Sequence, residues 1–169
     1  MTPKKGNARR IGIDDNVNTD YIISGRYKFQ IEDHKELAKH IFEDVSPNFY
    51  GKVKSGDFLV AGENFGCGSS REQAPVALMS AGISAVVAKS FARIFYRNSF
   101  NIGLCLLECD TDGIKDGNRL EIDLKKGYIK NLSRGKTIPI RPMPAVMSKL
   151  LADGGVIKHF KKHKGFKIK

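Results

Sequence analysis

Residues 57–109 read DFLVAGENFGCGSSREQAPVALMSAGISAVVAKSFARIFYRNSFNIGLCLLEC, and the order of textures in this stretch sets the fold class. The run from Asp57 to Ala61 predicts a strand, closed by the glycine-rich loop 62–70. A helix starts near Arg71, because Ala74, Ala77, Leu78 and Ala81 recur at helical spacing, and Gly82 ends it. Ser84 to Ala88 reads as a buried strand. Phe91 to Asn98 reads as a helix with Phe91, Ile94 and Phe95 inward, and Leu104 to Cys109 as a second buried strand. Strand, helix, strand, helix, strand is the grammar of an α/β domain.

Further along, Asp112-Gly113, Asp116-Gly117 and Lys126-Gly127 punctuate short runs at 119–124, 128–132 and 137–140. That texture predicts a small β-meander, hence mixed strands and not a regular doubly wound sheet. A last helix begins at Pro144, turns Met147, Leu150 and Leu151 inward and stops at Gly154-Gly155. On the N-terminal side, Ile11-Gly12-Ile13 leads into the polar loop 14–20. A helix is expected over 33–42, with Leu37, Ile41 and His34 on one face and Pro47 as its stop.

The 169 residues suit one domain spanning the chain, with enough surface to bury a real core. Hydrophobic residues at 41% and charged residues at 28% exclude a disordered, collagenous or disulfide-stapled chain. Apolar runs such as 85–88 fall far short of the ~20 residues of a membrane span, and no signal-peptide pattern is present. Three cysteines, Cys67, Cys105 and Cys109, fit a reducing compartment, so a cytoplasmic location is expected.

The net charge of +11 is concentrated at the ends. Residues 1–10 carry four basic side chains and 158–169 carry six, both without an acid, which leaves the body nearly neutral. Both ends are therefore expected to be basic tails. Such tails can bind polyanions, yet aromatic residues at base-stacking spacing are missing, so nucleic acid is not expected as a partner.

Chemistry concentrates at residues 62–75, GENFGCGSSREQAP. Strand, glycine loop and helix start occur in the order that presents backbone N–H groups to an anion. No lysine follows the glycines as in a P-loop, and the third glycine of a dinucleotide fingerprint is missing. Two readings of the serines compete. Ser69-x-x-Glu72 and Ser70-x-x-Gln73 both fit a capping box. Against a purely structural role, one cap suffices for one helix, and Arg71 in the first turn opposes the helix dipole unless an anion sits beside it. Ser69, Ser70 and Arg71 then form a carboxylate or phosphate clamp.

Other chemistries fit less well. Cys105 and Cys109 on one strand would stand ~13 Å apart, too far to share an ion. His159-x3-His163 could place two imidazoles on one helix face, but nothing nearby in sequence completes a ligand set, so no metal is expected in this chain. Without a Cys-x-x-Cys, an iron–sulfur cluster is not expected here either. A serine hydrolase would need a nucleophile elbow and a histidine that the pattern does not supply.

GENFGCGSSREQAP, followed by KSFARIFYRNSFNIGL at 89–104, resembles the swivel domain of the aconitase superfamily, most closely its free-standing small subunits of the isopropylmalate dehydratase type. The loop Asp15-Asn16-Val17-Asn18-Thr19-Asp20 and the ending Ala152-Asp153-Gly154-Gly155 extend the resemblance from about Ile11 to Val156. It implies a β/β/α swivel fold and a hydro-lyase active only with a large subunit, in a heterodimer or heterotetramer. The large subunit carries a 4Fe–4S cluster whose open iron takes the substrate hydroxyl. The resemblance makes Ser69 the base, with Ser70 and Arg71 on a substrate carboxylate. Arg26, Lys28 and Phe29 lie in the loop tied to substrate choice. Apolar Phe29, where homoaconitase-like relatives place an arginine, points to an alkyl-bearing malate. Homoaconitase, dimethylmalate or citraconate hydratase subunits stay open as alternatives, as does a non-catalytic RNA- or protein-binding module using the basic ends.

Overall fold

The computed structural model describes residues 2–27 and 30–165. Lys28 and Phe29 of the expected substrate loop therefore lie outside the described residues. Seven strands form one sheet: β1 (Lys4–Arg9), β2 (Phe58–Val60), β3 (Ala85–Ala88), β4 (Cys105–Glu108), β5 (Arg119–Asp123), β6 (Tyr128–Asn131) and β7 (Lys136–Pro139). Their spatial order is β4-β3-β2-β1-β5-β6-β7. From β1 to β4 the pairing is parallel, and from β1 through β5 and β6 to β7 it is antiparallel. The expected α/β domain with mixed strands and a terminal meander is what the chain forms.

Crossovers in the parallel half are helical. Between β1 and β2 run α1 (Thr19–Ile22), a 3-10 turn (Gly25–Tyr27), α2 (His34–Ala38) and α3 (Phe49–Lys52); α4 (Gln73–Ser80) joins β2 to β3, and α5 (Arg93–Ile102) joins β3 to β4. After β7 come α6 (Ala145–Ala152) and α7 (Val156–His163).

Side chains that alternate along the inner strands feed two cores. Leu59, Val86 and Leu106 face the helices and meet Leu37, Phe49, Leu78 and Phe95. Phe58, Val60, Val87 and Leu107 face the other way and meet Leu120, Ile122 and Ile129 of the curled antiparallel half. Strands covered on both faces need no polar alternation, which is why they read as unbroken apolar runs.

Several expectations need correction. The first ten residues are not a tail: 4–9 form β1 at the centre of the sheet. Only Ala8 of that strand is buried and apolar. The strand is fixed instead by the buried Asp57 carboxylate, which accepts from the Asn7 amide (3.0 Å), Asn7 Nδ2 (3.1 Å) and Arg9 Nε (2.6 Å). At the other end, residues 158–163 belong to α7, which packs through buried His159. The helix expected over 33–42 ends at Ala38, and the chain then turns through Phe42 at φ +56°. Ile94, expected inward, is half exposed, while Phe95 carries the buried face of α5. No helix among the described residues is long and apolar enough to cross a membrane.

Candidate active site

Strand β2 delivers the glycine loop to the carboxyl-end edge of the parallel strands, the edge at which open α/β sheets gather their sites. There the loop zips onto the early polar segment. Gly62 N donates to Asp14 O (2.7 Å), Glu63 N to Asp15 Oδ1 (2.6 Å), Asn16 N to Glu63 O (2.9 Å) and Gly66 N to Val17 O (2.7 Å). Thr19 closes the seam: its amide donates to Cys67 O (2.9 Å) and its hydroxyl to Ser69 O (2.7 Å). Two motifs about 50 residues apart thus become one platform, with Ser69 held by its backbone.

The capping reading fails at this point. The N-cap position of α4 is Glu72, with no side-chain cap hydrogen bond, and the chain reaches the helix only after Ser69 O has accepted from Arg71 N (2.8 Å). Ser69 and Ser70 are exposed, and their hydroxyls are not spent on the helix. Among the described residues, the amides of Gly68, Ser69 and Ser70 meet no protein acceptor. Gly66 and Gly68, at φ +81° and +85°, give the loop the left-handed backbone that glycine adopts without strain.

Arg71, which follows the serines in the chain, is anchored through its side chain. Its guanidinium is 15% exposed, pairs with Asp20 of α1 and reaches Ile23 O at 3.4 Å. Gly25 lies against it, where a Cβ would stand 3.2 Å from both Nη atoms. The segment that opens the expected substrate loop therefore sits directly on the arginine of the expected clamp. Arg26, the loop arginine of the same segment, is engaged by acidic residues that follow α2. Its guanidinium turns to Asp44 (2.7 Å) and Glu43 (3.8 Å) and lies over the Tyr27 ring at 4.9 Å.

Two arginines escaped the sequence reading. Arg93 and Arg97, one turn apart on α5, line a cleft of about 520 Å³ with Asn64, Gly66, Gly68 and Phe91. Arg93 carries the signal that singled out Arg71 in the sequence, a cation read in the first turn of a helix where it opposes the dipole, and Arg97 follows one turn later. The cleft is thus cationic on one wall and floored by the glycine loop.

The cysteines do not converge on an ion. Cys105 is buried in β4 and burial pushes its thiol up to about 11; burial, then the charge of Asp110, pushes Cys109 up to about 12. Cys67 sits in the loop with Sγ 3.4 Å from Asn16 O. These donors do not fit an iron–sulfur cluster in this chain.

A glycine platform with two free hydroxyls, unpaired amides and an anchored arginine now stands beside comparisons with known proteins. The aconitase C-terminal domain model matches residues 8–112. The chain belongs to that family. Within it, the chain is 52% identical over 163 residues to 3-isopropylmalate dehydratase small subunit 2 of Archaeoglobus fulgidus, covering 96% of this chain and 98% of that protein. It is 53% identical over 162 residues to the 3-isopropylmalate dehydratase small subunit of Wolinella succinogenes, 95% of each. The crystal structure of 3-isopropylmalate dehydratase from Methanocaldococcus jannaschii superposes with a TM-score of 0.91 at 48% identity over 96% of both chains. The β/β/α architecture is thus that of the family's small hydro-lyase subunits.

Proposed function

We propose that this chain is the small subunit of a cytoplasmic hydro-lyase that interconverts 2- and 3-isopropylmalate with a cluster-bearing large subunit. Nearly full-length identity of about half to named small subunits supports this reading. In it, Ser69 Oγ removes the proton from the carbon beside the hydroxyl-bearing one as water leaves; water then adds to the carbon that lost the proton, and a proton is delivered to the carbon that lost the hydroxyl. A serine alkoxide is unstable in water, so it needs fixed dipoles in a closed, dry cleft. The amides of Gly68, Ser69 and Ser70 supply them, and Arg71 adds positive charge nearby. Ser70 and Arg71 hold the carboxylate, whose planar pair of oxygens matches a guanidinium in a way an ammonium does not. The chemistry at the substrate hydroxyl belongs to the partner.

The observation that carries the proposal is the failure of the capping boxes: two serines with capping spacing at a helix start do not cap it. Arg93 and Arg97 line a cleft with Gly66 and Gly68 of the same loop, and in this reading they add positive charge toward a dicarboxylate. The non-catalytic reading loses its footing, because much of both basic ends is built into β1 and α7.

The test is anaerobic co-purification of the chain with a large subunit, followed by assay of alkyl-malates against homocitrate. Activity on 2-isopropylmalate from the pair, and none from this chain alone, is the expected outcome. Preference for homocitrate would move the assignment to the homoaconitase alternative.

A further inference from the structure

The two histidines near the C-terminus lack a third ligand in the local sequence, but the fold supplies one. Asp153 closes α6, and the turn at Gly154-Gly155 reverses the chain into α7 so that the Asp153 carboxylate lies over the first two turns of that helix. Oδ2 of Asp153 is 2.7 Å from His159 Nδ1 and 2.9 Å from His163 Nε2. The ligand atoms of all three residues lie within 4.8 Å of one another. His159 is fully buried, the Asp153 side chain is 6% exposed, and His163 is 28% exposed.

We propose that Asp153, His159 and His163 form a site for a borderline-soft divalent cation, zinc first, that clamps α7 onto the end of α6. Two imidazoles and one carboxylate are a ligand set that zinc takes with four-coordinate geometry. With bonds of about 2.1 Å, tetrahedral ligand atoms stand about 3.4 Å apart, so each Asp153–histidine contact has to open by about half an ångström to admit the ion. The partial exposure of His163 leaves one side of the triad open to solvent, where water completes the shell. Lys162 pairs with the other carboxylate oxygen, Oδ1, at 2.5 Å, and 63% of its side chain is exposed. It therefore sits behind the carboxylate, and its charge weakens the site without occupying it.

The clamp has a structural target. A Cβ on Gly103, the C-cap of α5, would fall 2.6 Å from the Gly154 carbonyl, and one on Gly155 would fall 2.5 Å from Asn101 O. The turn between the two ligand-bearing helices is thus wedged against the end of α5, the helix whose opposite end lines the cleft with Arg93 and Arg97. Fixing α7 fixes that wedge. The site is separate from Ser69 and does not depend on the proposed reaction.

Calorimetric titration of zinc chloride into the full chain, stripped with a chelator and free of any added histidine tag, tests the site. One ion per chain is expected, with a melting temperature raised by roughly 5–10 °C at a hundredfold excess over the dissociation constant. His163→Ala, a change at a partly exposed position, should weaken binding by more than about 100-fold, beyond the loss that an outer-shell change brings. Lys162→Ala should tighten it, and Cys67→Ser should leave it unchanged. No stoichiometric binding, binding that survives His163→Ala, or binding lost with Cys67→Ser would each overturn the proposal.

Discussion

The backbone of Gly66 lies on the ring of Phe95: a Cβ built there would fall 2.2 Å from Cγ and 2.5 Å from Cβ of that side chain. Phe95 is 2% exposed and stacks edge-on against Phe65 at 5.2 Å, so it has nowhere to go. The glycine loop is therefore seated on the aromatic core of α5, and its shape is set by that contact as much as by its own dihedrals.

Gly66→Ala should for that reason cost about 3 kcal/mol. A left-handed φ disfavours any side chain by about 1–2 kcal/mol, and overpacking adds a similar amount. Urea unfolding should show a lower midpoint with an unchanged slope. An unchanged midpoint would mean that the loop is not held by Phe95.

The ion pair between Arg71 and Asp20 joins the start of α4 to α1 and orients the guanidinium. Arg71→Lys keeps the charge but loses the fork. In the reconstituted enzyme it should raise KM by roughly 10- to 100-fold, the equivalent of one or two charge-assisted hydrogen bonds. Melting temperature should move little. A KM equal to that of the parent enzyme would remove Arg71 from the carboxylate site.

Asp57 holds β1 against β2, and its removal tests that architecture. Burial opposes ionisation of this carboxyl, yet the donors of Lys54, Arg9 and Asn7 together hold it below the ordinary carboxylate range. Because the folded value is depressed, the stabilisation is complete above the ordinary value of about 3.9 and disappears as pH falls through the folded value. Asp57→Asn should cost about 3 kcal/mol at neutral pH, since Arg9 is left without its counter-charge. The variant should also lose less of its remaining stability than the parent between pH 4 and strongly acidic conditions. Equal acid sensitivity in the two proteins would place the titrating group elsewhere.

What the sequence made legible follows physical lines. The inner strands β2, β3 and β4 are apolar on both faces, and glycines punctuate them, so their order is plain. Strand β1 carries lysines, a glycine and an asparagine; it is a strand because Asp57 and β5 make it one, and both are distant in sequence. Helix α7 hides for a similar reason: its buried anchor is His159, polar in letters and interior in fact. At the site, Ser69, Ser70 and Arg71 stand out because a cation and two hydroxyls crowd one helix start. The fate of Arg26 could not be read, since Asp44 and Glu43 reach it only through the turns after α2.

The most direct measurement is turnover of 2-isopropylmalate by the chain reconstituted with its large subunit, comparing the parent with Ser69→Ala. Deleting one exposed hydroxyl should leave folding and subunit association intact while kcat falls by several powers of ten. Turnover within a few-fold of the parent would contradict Ser69 as the group that removes the proton.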